Sequence, residues 1–195
     1  NAFKRDGHLS GLATGLTDLD RLMGGLQSSD LIIVAGRPGM GKSSLATNIA
    51  FHIANSYEPA PQADGSFKAA NGGIVGLFSL ELSSEQLATR IISAPTENPS
   101  SKIRRGEISE TDFEKLVACS QMMQKLPLYI DQTGGISIAQ LAARARRLKR
   151  QRGLDVIIID YVQLMTGSSR RASENRVQEI TEITTGLKAL AKELN

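Results

Sequence analysis

The residues best suited to chemistry lie in one eight-residue segment, Gly36-Arg-Pro-Gly-Met-Gly-Lys-Ser43. It satisfies every fixed position of the pattern G-x-x-x-x-G-K-[ST]. The three glycines are expected to take backbone conformations that side chains disfavour, so that successive N–H groups turn inward around an anion. The lysine supplies a positive charge for outer phosphates, and the serine hydroxyl can ligate Mg²⁺. The segment predicts a nucleoside triphosphate site built from Gly36, Pro38, Gly39, Met40, Gly41, Lys42, Ser43 and Ser44.

The residues that flank this loop favour a strand before it and a helix after it. Residues 30–35 form a short apolar, β-branched run, which is typical of a buried parallel strand. Residues 43–56 carry Leu45, Ile49 and Ile53 at helical spacing, so the loop is expected to open a helix whose positive end faces the phosphates. A chance glycine-rich turn is disfavoured, because the complete pattern stands between these two elements.

The rest of the chain alternates between predicted strands and helices. Further strands are predicted at 74–80, 128–130 and 155–160, and helices at 17–23, 83–93, 109–125, 137–153 and 176–195. Ser83 with Gln86, and Ser137 with Gln140, have the spacing of capping boxes. Residues 57–73 break the alternation and are predicted to be a mobile surface insertion. The pattern favours an α/β fold of the P-loop NTPase type, with a parallel sheet and helices on both faces.

Two carboxylates follow predicted strands and are expected at the carboxyl edge of the sheet, where ligands bind. Asp160 ends the run 155–160 and can hold the water shell of Mg²⁺, although an aspartate in such a place can also cap a turn. Glu81 follows the run 74–80 and can polarise the water that attacks a γ-phosphate. A carboxylate that stabilises the next helix dipole explains Glu81 equally well. The residues alone leave the role of Glu81 open.

Positive charge is concentrated in two segments. Six cations occur within nine residues, namely Arg144, Arg146, Arg147, Lys149, Arg150 and Arg152. The same helix carries apolar residues at core spacing, so most of these cations are expected on solvated faces; a contact with phosphates or an acidic neighbour is the alternative. The loop 167–176 contains Arg170, Arg171 and Arg176 and could contact a nucleic-acid backbone. It has no aromatic residue, so base stacking is not predicted.

Composition sets mild bounds on the class of protein. The sequence has 195 residues, of which 41% are hydrophobic and 22% charged, with a net charge of +3, as in an ordinary soluble globular protein. No apolar run approaches the ~20 residues that span a bilayer, and no signal-peptide pattern is present, so a cytoplasmic protein without membrane contact is expected. Cys119 is the only cysteine, which fits a reducing compartment and is expected to be a buried structural thiol.

Motifs along nearly the whole chain point to one family. They lie at residues 14–20 with 24–26, 30–43, 78–82 with 84–86 and 90, 102–106, 144–147, 159–165 and 187–195. With these motifs the chain closely resembles the C-terminal motor domain of bacterial replicative DNA helicases of the DnaB family, a RecA-like ATPase. The resemblance implies ATP and Mg²⁺ as cofactors, bound by Lys42 and Ser43. It also implies Glu81 as the catalytic base beside Lys42, Arg90 at the phosphate site and Asp160 as the second metal-site acid.

The resemblance further implies a hexameric ring that holds ATP between subunits and translocates on single-stranded DNA, with primase and a helicase loader as partners. The chain departs from the family pattern at Ser43 and Ser44, where threonine is frequent, at Leu82, where methionine is commoner, and in the length of the insertion 57–73. The alternation of strands and helices calls for a further strand after the final helix. Residues 1–195 are therefore expected to form a partial domain, lacking its C-terminal part, that hydrolyses ATP weakly by itself.

Three other functions share part of these features. A recombinase of the RecA or RadA type has the same fold and a DNA partner, and the continuous motif match disfavours it. A small-molecule kinase would need an arginine-rich substrate lid and no water-activating glutamate. A nucleotide-binding module without turnover would need the phosphate loop alone.

Overall fold

The computed structural model describes residues 9–65, 67–94, 96–167 and 175–195. The helices of these residues are α1 Thr17–Met23, α2 Lys42–Asn55, α3 Ser84–Ser93, α4 Ser100–Arg105, α5 Glu110–Met123, α6 Ile138–Arg152 and α7 Arg176–Leu194, with a 3₁₀ turn at Val162–Leu164. The strands are β1 Glu58–Pro61, β2 Phe67–Asn71, β3 Val75–Ser79, β4 Leu128–Asp131 and β5 Val156–Asp160.

The central sheet is parallel and has the strand order β4-β3-β5. Val75 lies opposite Leu128 on one side and Val156 on the other, and Ser79 lies opposite Asp160 at the carboxyl end. Helices α3, α4 and α5 connect β3 to β4, and α6 connects β4 to β5, because parallel neighbours need a crossover. The α/β class with a parallel sheet is confirmed.

Helices cover both faces of the sheet, so β3 is buried along its whole length. On one face α2 and α3 pack through a cluster of Ala50, Ile53, Ala54, Val75, Leu77 and Leu87. On the other face α6 and α7 bury a larger cluster that includes Phe78, Leu141, Ala145, Ile183, Leu187 and Leu190. Removing this apolar surface from water is the main term that favours the three-layer arrangement.

Local signals place most helix starts where the sequence predicts them. Ser83 and Ser137 both form the reciprocal capping box, and the Ser109 side chain accepts a hydrogen bond at the start of α5. Helix α4 was not predicted. It follows Pro99 and ends at Gly106, whose φ of 69° is the left-handed conformation typical of a helix C-terminus.

Helix α5 contributes no fully buried side chain. Cys119 is accordingly half-buried and not fully buried as expected. Its partial burial raises the pKa of the Cys119 thiol. Within the described ranges, no helix has the length and apolar character needed to cross a membrane.

Residues 30–35 do not form the buried strand predicted for them. No strand of the described chain pairs with this segment, and Ile32, Ile33 and Val34 are 42%, 69% and 57% exposed. Its start is fixed by the Lys188 ammonium, which donates to the Ser29 carbonyl at 2.8 Å. A β-branched run becomes a strand only when a neighbour takes its N–H and C=O groups, and no described strand does so here.

The insertion 57–73 contains regular structure that the sequence did not predict. Strands β1 and β2 form an antiparallel hairpin in which Pro59 lies opposite Ala69, and most of its described side chains are exposed. The two ends of the insertion meet at the end of α2, because the Gly73 N–H donates to the Ile53 carbonyl at 3.1 Å.

Candidate nucleotide-binding site

Helix α2 aims the loop 36–43 at the carboxyl end of the sheet. The last turn of α2 is fixed at the amino end of β3, because the Ile53 carbonyl accepts from the Gly73 N–H and a Cβ on Gly72 would lie 2.5 Å from that carbonyl oxygen. The helix packs on β3, β4 and β5. Its 14 residues extend about 21 Å, enough to run the length of β3. The first turn and the loop therefore lie toward the end where β3 and β5 finish.

Two of the three loop glycines take the conformation that only glycine adopts easily. Gly39 has a φ of 77° and Gly41 a φ of 83°, both in the left-handed region. The same expectation is wrong for Gly36, which has no positive φ. A Cβ on Gly36 would lie 3.6 Å from the Lys42 side chain, which is an ordinary contact. The backbone of the loop is thus shaped by Gly39 and Gly41.

The start of α2 presents unsatisfied donors and positive charge. Gly41 caps the helix without a side-chain hydrogen bond, and no acidic residue occupies the first turn. The first N–H groups of the helix are therefore available to an anion, which the helix dipole also favours. The Lys42 ammonium donates to the carbonyls of Gly36 and Arg37 at 2.8 and 3.0 Å, so its charge lies within the loop.

A cavity of about 640 Å³ opens beside the loop. It is lined by Val34, Ala35, Gly36, Arg37, Met40, Gly41, Lys42 and Leu45. Its volume falls within the range of ~300–1,000 Å³ that small-molecule and cofactor sites occupy. Arg37 was not among the predicted site residues, because it stands at a variable position of the loop pattern and carries no signal there.

The two predicted carboxylates lie at adjacent strand ends. Asp160 is 6% exposed and lies opposite Ser79, and its carbonyl accepts from the Leu80 N–H at 2.9 Å. Glu81 follows Leu80 and is exposed. The Ser79 hydroxyl donates to the Leu82 carbonyl at 2.8 Å and so shapes the turn that carries Glu81. Neighbouring strands lie about 4.8 Å apart, so the two residues share one edge of the sheet.

Asp160 is a largely buried residue, but its carboxylate oxygens keep access to solvent, because the described residues include no fully buried side-chain oxygen that lacks a hydrogen-bond partner. Within the described chain, no hydrogen bond or ion pair reaches its side-chain oxygens. A carboxylate that has no partner in the protein and is open to solvent is available to a metal ion or to the water shell of one. The described part of the chain has no cluster of three or more His, Cys, Asp or Glu side chains that could hold a metal by itself. A single carboxylate with a hydroxyl and substrate phosphates is the ligand set that Mg²⁺ commonly uses, and Asp160 with Ser43 fits it.

The remaining predicted site residues are less well connected to the loop. Ser44, Pro38 and Met40 are exposed within or next to it. Arg90 is exposed in the last turn of α3, and no hydrogen bond or ion pair joins it to another described residue. Arg170 and Arg171 lie outside the described residues.

Arg176 has internal partners that the sequence analysis missed. Its guanidinium donates to the Glu179 carboxylate and to the Gln163 carbonyl. Glu179 is buried and also accepts from the Gly167 N–H at 2.9 Å. The Gly167 hydrogen bond and the Arg176 charge hold the pKa of the Glu179 carboxyl below its usual value. The spacing of Arg176 and Glu179 on one helix face was the available signal.

A comparison with protein families accounts for this arrangement of loop and carboxylates. Residues 11–195 match the family described as DnaB-like helicase C terminal domain. The chain belongs to this family. The match covers more than nine-tenths of the sequence. It confirms the resemblance to the DnaB family that the sequence motifs indicate.

Curated relatives of this DnaB-like chain are replicative helicases. It is 45% identical over 194 residues to the replicative DNA helicase DnaB of Rickettsia typhi. This alignment covers 100% of this chain and 38% of the relative. It is 41% identical over 190 residues to the replicative DNA helicase DnaB of Geobacillus stearothermophilus, covering 97% of this chain and 38% of the relative. The chain thus spans 38% of the length of these two relatives.

Solved structures share the same fold. A DnaB-like replicative helicase, studied with its interactions with primase, aligns with a TM-score of 0.81 at 27% identity over 97% of this chain and 42% of that one. A solved ATPase domain aligns with a TM-score of 0.83 at 27% identity, over 99% of this chain and 63% of that one. These likenesses confirm the RecA-like fold.

Proposed function

We propose that this chain is the ATP-hydrolysing motor of a replicative DNA helicase. The observation that supports the proposal most directly is that three groups lie toward the carboxyl end of the sheet. These groups are the start of α2, which has no side-chain cap, with Lys42, the carboxylate of Asp160, which has no partner among the described residues, and Glu81 at the neighbouring strand end. The family relationship favours this function over a recombinase, and over a kinase or a module without turnover.

The loop residues would bind the triphosphate. Backbone N–H groups from Gly36 to Ser44, including those of Gly39, Met40 and Gly41, would surround the phosphates, while Pro38 has no N–H and would only shape the turn. The Lys42 ammonium would exchange its two loop carbonyls for phosphate oxygens and neutralise charge in the transition state. Ser43 and Asp160 would hold Mg²⁺, which supplies charge neutralisation at the phosphates.

Glu81 would act as the catalytic base. Its exposed carboxylate, two residues beyond the end of β3, is free to accept a proton from the attacking water. Arg90, on the helix that follows Glu81, would add positive charge at the phosphate site.

In the intact protein we propose a hexameric ring with ATP between subunits. Hydrolysis would move segments that contact single-stranded DNA and so separate a duplex. Arg170 and Arg171 would contact the DNA backbone, and Arg176 would hold the end of their loop through Glu179. Primase is a proposed partner because a structural relative is described with primase, and a helicase loader is proposed from the family resemblance.

Replacing Glu81 by glutamine in the intact parent helicase tests this proposal. The variant is expected to bind ATP normally and to hydrolyse it at least about 100-fold more slowly, because glutamine keeps the shape but cannot accept the proton. Single-turnover hydrolysis and nucleotide titration measure the two properties. Glu85→Gln is the matched control, because Glu85 is an exposed carboxylate in the first turn of α3. Equal loss of activity in both variants, or none in either, would make Glu81 a helix-dipole residue.

A further inference from the structure

The basic residues of α6 divide into satisfied and unsatisfied cations. Arg146 forms a bidentate ion pair with Glu193 at 2.7 and 2.8 Å, and the Lys149 ammonium donates to the Leu154 carbonyl at 3.0 Å. Arg144 binds Asp131 and the Thr133 hydroxyl. In the described chain, Arg147, Arg150 and Arg152 have no ion pair or hydrogen bond through their side chains. The site proposed above uses none of these cations.

One of the unsatisfied cations borders a groove. The groove lies between β4 and α6, has a volume of about 210 Å³ and carries apolar side chains of Phe78, Tyr129 and Leu148. Arg144 and Arg147 line it as well. Tyr129 is 36% exposed, so this face of β4 is left partly uncovered by α6.

Backbone groups at the same place are also free. Strand β4 is an edge of the sheet and pairs only with β3 among the described strands. The Val75 N–H donates to the Pro127 carbonyl, and alternation along a parallel strand then directs the N–H and C=O of Ile130 away from β3. The Leu128 N–H is already bonded to the Leu126 carbonyl at 2.8 Å. Ile130 is therefore the point where an added strand can pair.

We propose that this groove and the β4 edge bind an extended segment of a partner protein that carries a carboxylate next to an apolar side chain. The segment pairs with the backbone of Ile130, its apolar side chain covers Tyr129, and its carboxylate binds Arg147. Strand addition to an exposed edge is a recurring mode of peptide recognition, in which backbone bonds give affinity and pockets give specificity.

The size and charge of the groove select this occupant over others. Its volume of about 210 Å³ accepts a side chain and is below the ~300 Å³ at which small-molecule sites begin. The charges that face it are Arg144, Arg147 and Asp131, and the Arg144–Asp131 pair is neutral, which leaves the single charge of Arg147. A nucleic-acid strand needs a row of cations along its backbone, whereas one arginine matches one carboxylate.

A titration followed by two-dimensional NMR of the protein tests the proposal. The probe is an acetylated and amidated eight-residue peptide of alternating glutamate and valine, with a lysine–valine peptide as its charge-reversed control. The glutamate peptide is expected to shift the backbone amide resonance of Ile130 saturably. Arg147→Glu is expected to weaken binding about tenfold, because an attraction becomes a repulsion. Arg150→Glu makes the same charge change on the same helix outside the groove, and should weaken binding by less than about twofold.

Four results would overturn the proposal. They are an unshifted Ile130 amide, equal binding of the lysine peptide, equal effects of Arg147→Glu and Arg150→Glu, and displacement of the peptide by oligothymidylate. The last result would assign the groove to nucleic acid instead. Unchanged amide dispersion in the Arg147→Glu spectrum shows that the variant is folded, so that a loss of binding reports on the contact itself.

Discussion

Two apolar runs of almost the same composition have different structures in this molecule. Residues 156–160, Val-Ile-Ile-Ile-Asp, form strand β5, whereas residues 31–35, Leu-Ile-Ile-Val-Ala, form no regular secondary structure and have three exposed β-branched side chains. The difference lies in their neighbours. β5 pairs with β3 along its whole length, and no described strand pairs with residues 31–35. Strand propensity therefore acts here through a partner rather than through composition.

Both runs end at the candidate nucleotide site, and this makes the contrast informative for function. β5 delivers Asp160 from a packed sheet, and the chain after it is held by Glu179. The segment 31–35 delivers the phosphate loop, which is positioned chiefly by α2 on its other side. The site thus combines a carboxylate fixed by the core with a loop that is fixed from one end.

The largest expected effect tests the loop at the end of the unpaired segment. Lys42→Ala should lower affinity for a non-hydrolysable ATP analogue by about 100-fold, because it removes the charge inside the loop. The free energy of unfolding should change by no more than about 0.5 kcal/mol, since the side chain bonds only to loop carbonyls. Calorimetric titration and urea denaturation measure the two quantities. Lys115→Ala, an exposed lysine on α5, is the control, and an unchanged affinity for Lys42→Ala would refute the assignment of the loop.

A matched pair of substitutions tests the contrast between the two runs themselves. Ile158→Ala should reduce the free energy of unfolding by about 2 kcal/mol, because Ile158 packs against the cluster beneath α2. Ile33→Ala should cost less than about 0.5 kcal/mol, because that side chain is mostly in water. Urea denaturation of both variants is the measurement. Equal costs would show that residues 31–35 are packed as tightly as β5.

The smallest effect concerns the chain after β5 and depends on pH. The folded-state pKa of Glu179 is depressed, so its contribution to stability is present above the unfolded value of about 4.3 and is lost as the pH falls through the folded value. Glu179→Gln should therefore lower the urea midpoint at pH 7, with the difference from the parent shrinking below about pH 4.3. Glu114→Gln, an exposed glutamate on α5, should show no such trend. A midpoint difference that is constant with pH would argue against the charged Glu179 pair.

Features set by neighbouring residues in the sequence were predictable. Ser83 with Gln86 and Ser137 with Gln140 form their capping boxes, because each depends on a four-residue segment alone. The strand–loop–helix pattern around Lys42 predicted helix α2 for the same reason, although its strand did not form. Helix α4 was missed because a short serine-rich segment after proline carries no apolar periodicity.

Features that depend on distant partners were beyond the sequence. Whether residues 30–35 become a strand depends on residues far away in the chain, and so does the contact of Lys188 with Ser29. The register that sets Ser79 opposite Asp160 also required the structure, although the shared sheet edge was predictable from parallel topology. The place of Arg37 in the lining of the cavity was not predicted, because Arg37 stands at a variable position of the loop pattern.

The hairpin β1–β2 leaves the domain and returns to it at a single point beside Ile53. A segment whose ends already touch imposes almost no closure cost on the rest of the chain, so its length can change without stretching α2 or β3. Its turn is closed by the hydrogen bond from the Gly65 N–H to the Gln62 carbonyl. This turn is at the opposite end of the hairpin from its base beside α2. The turn is therefore a suitable graft point for a fluorophore or an affinity tag, which would label the protein away from the candidate nucleotide site.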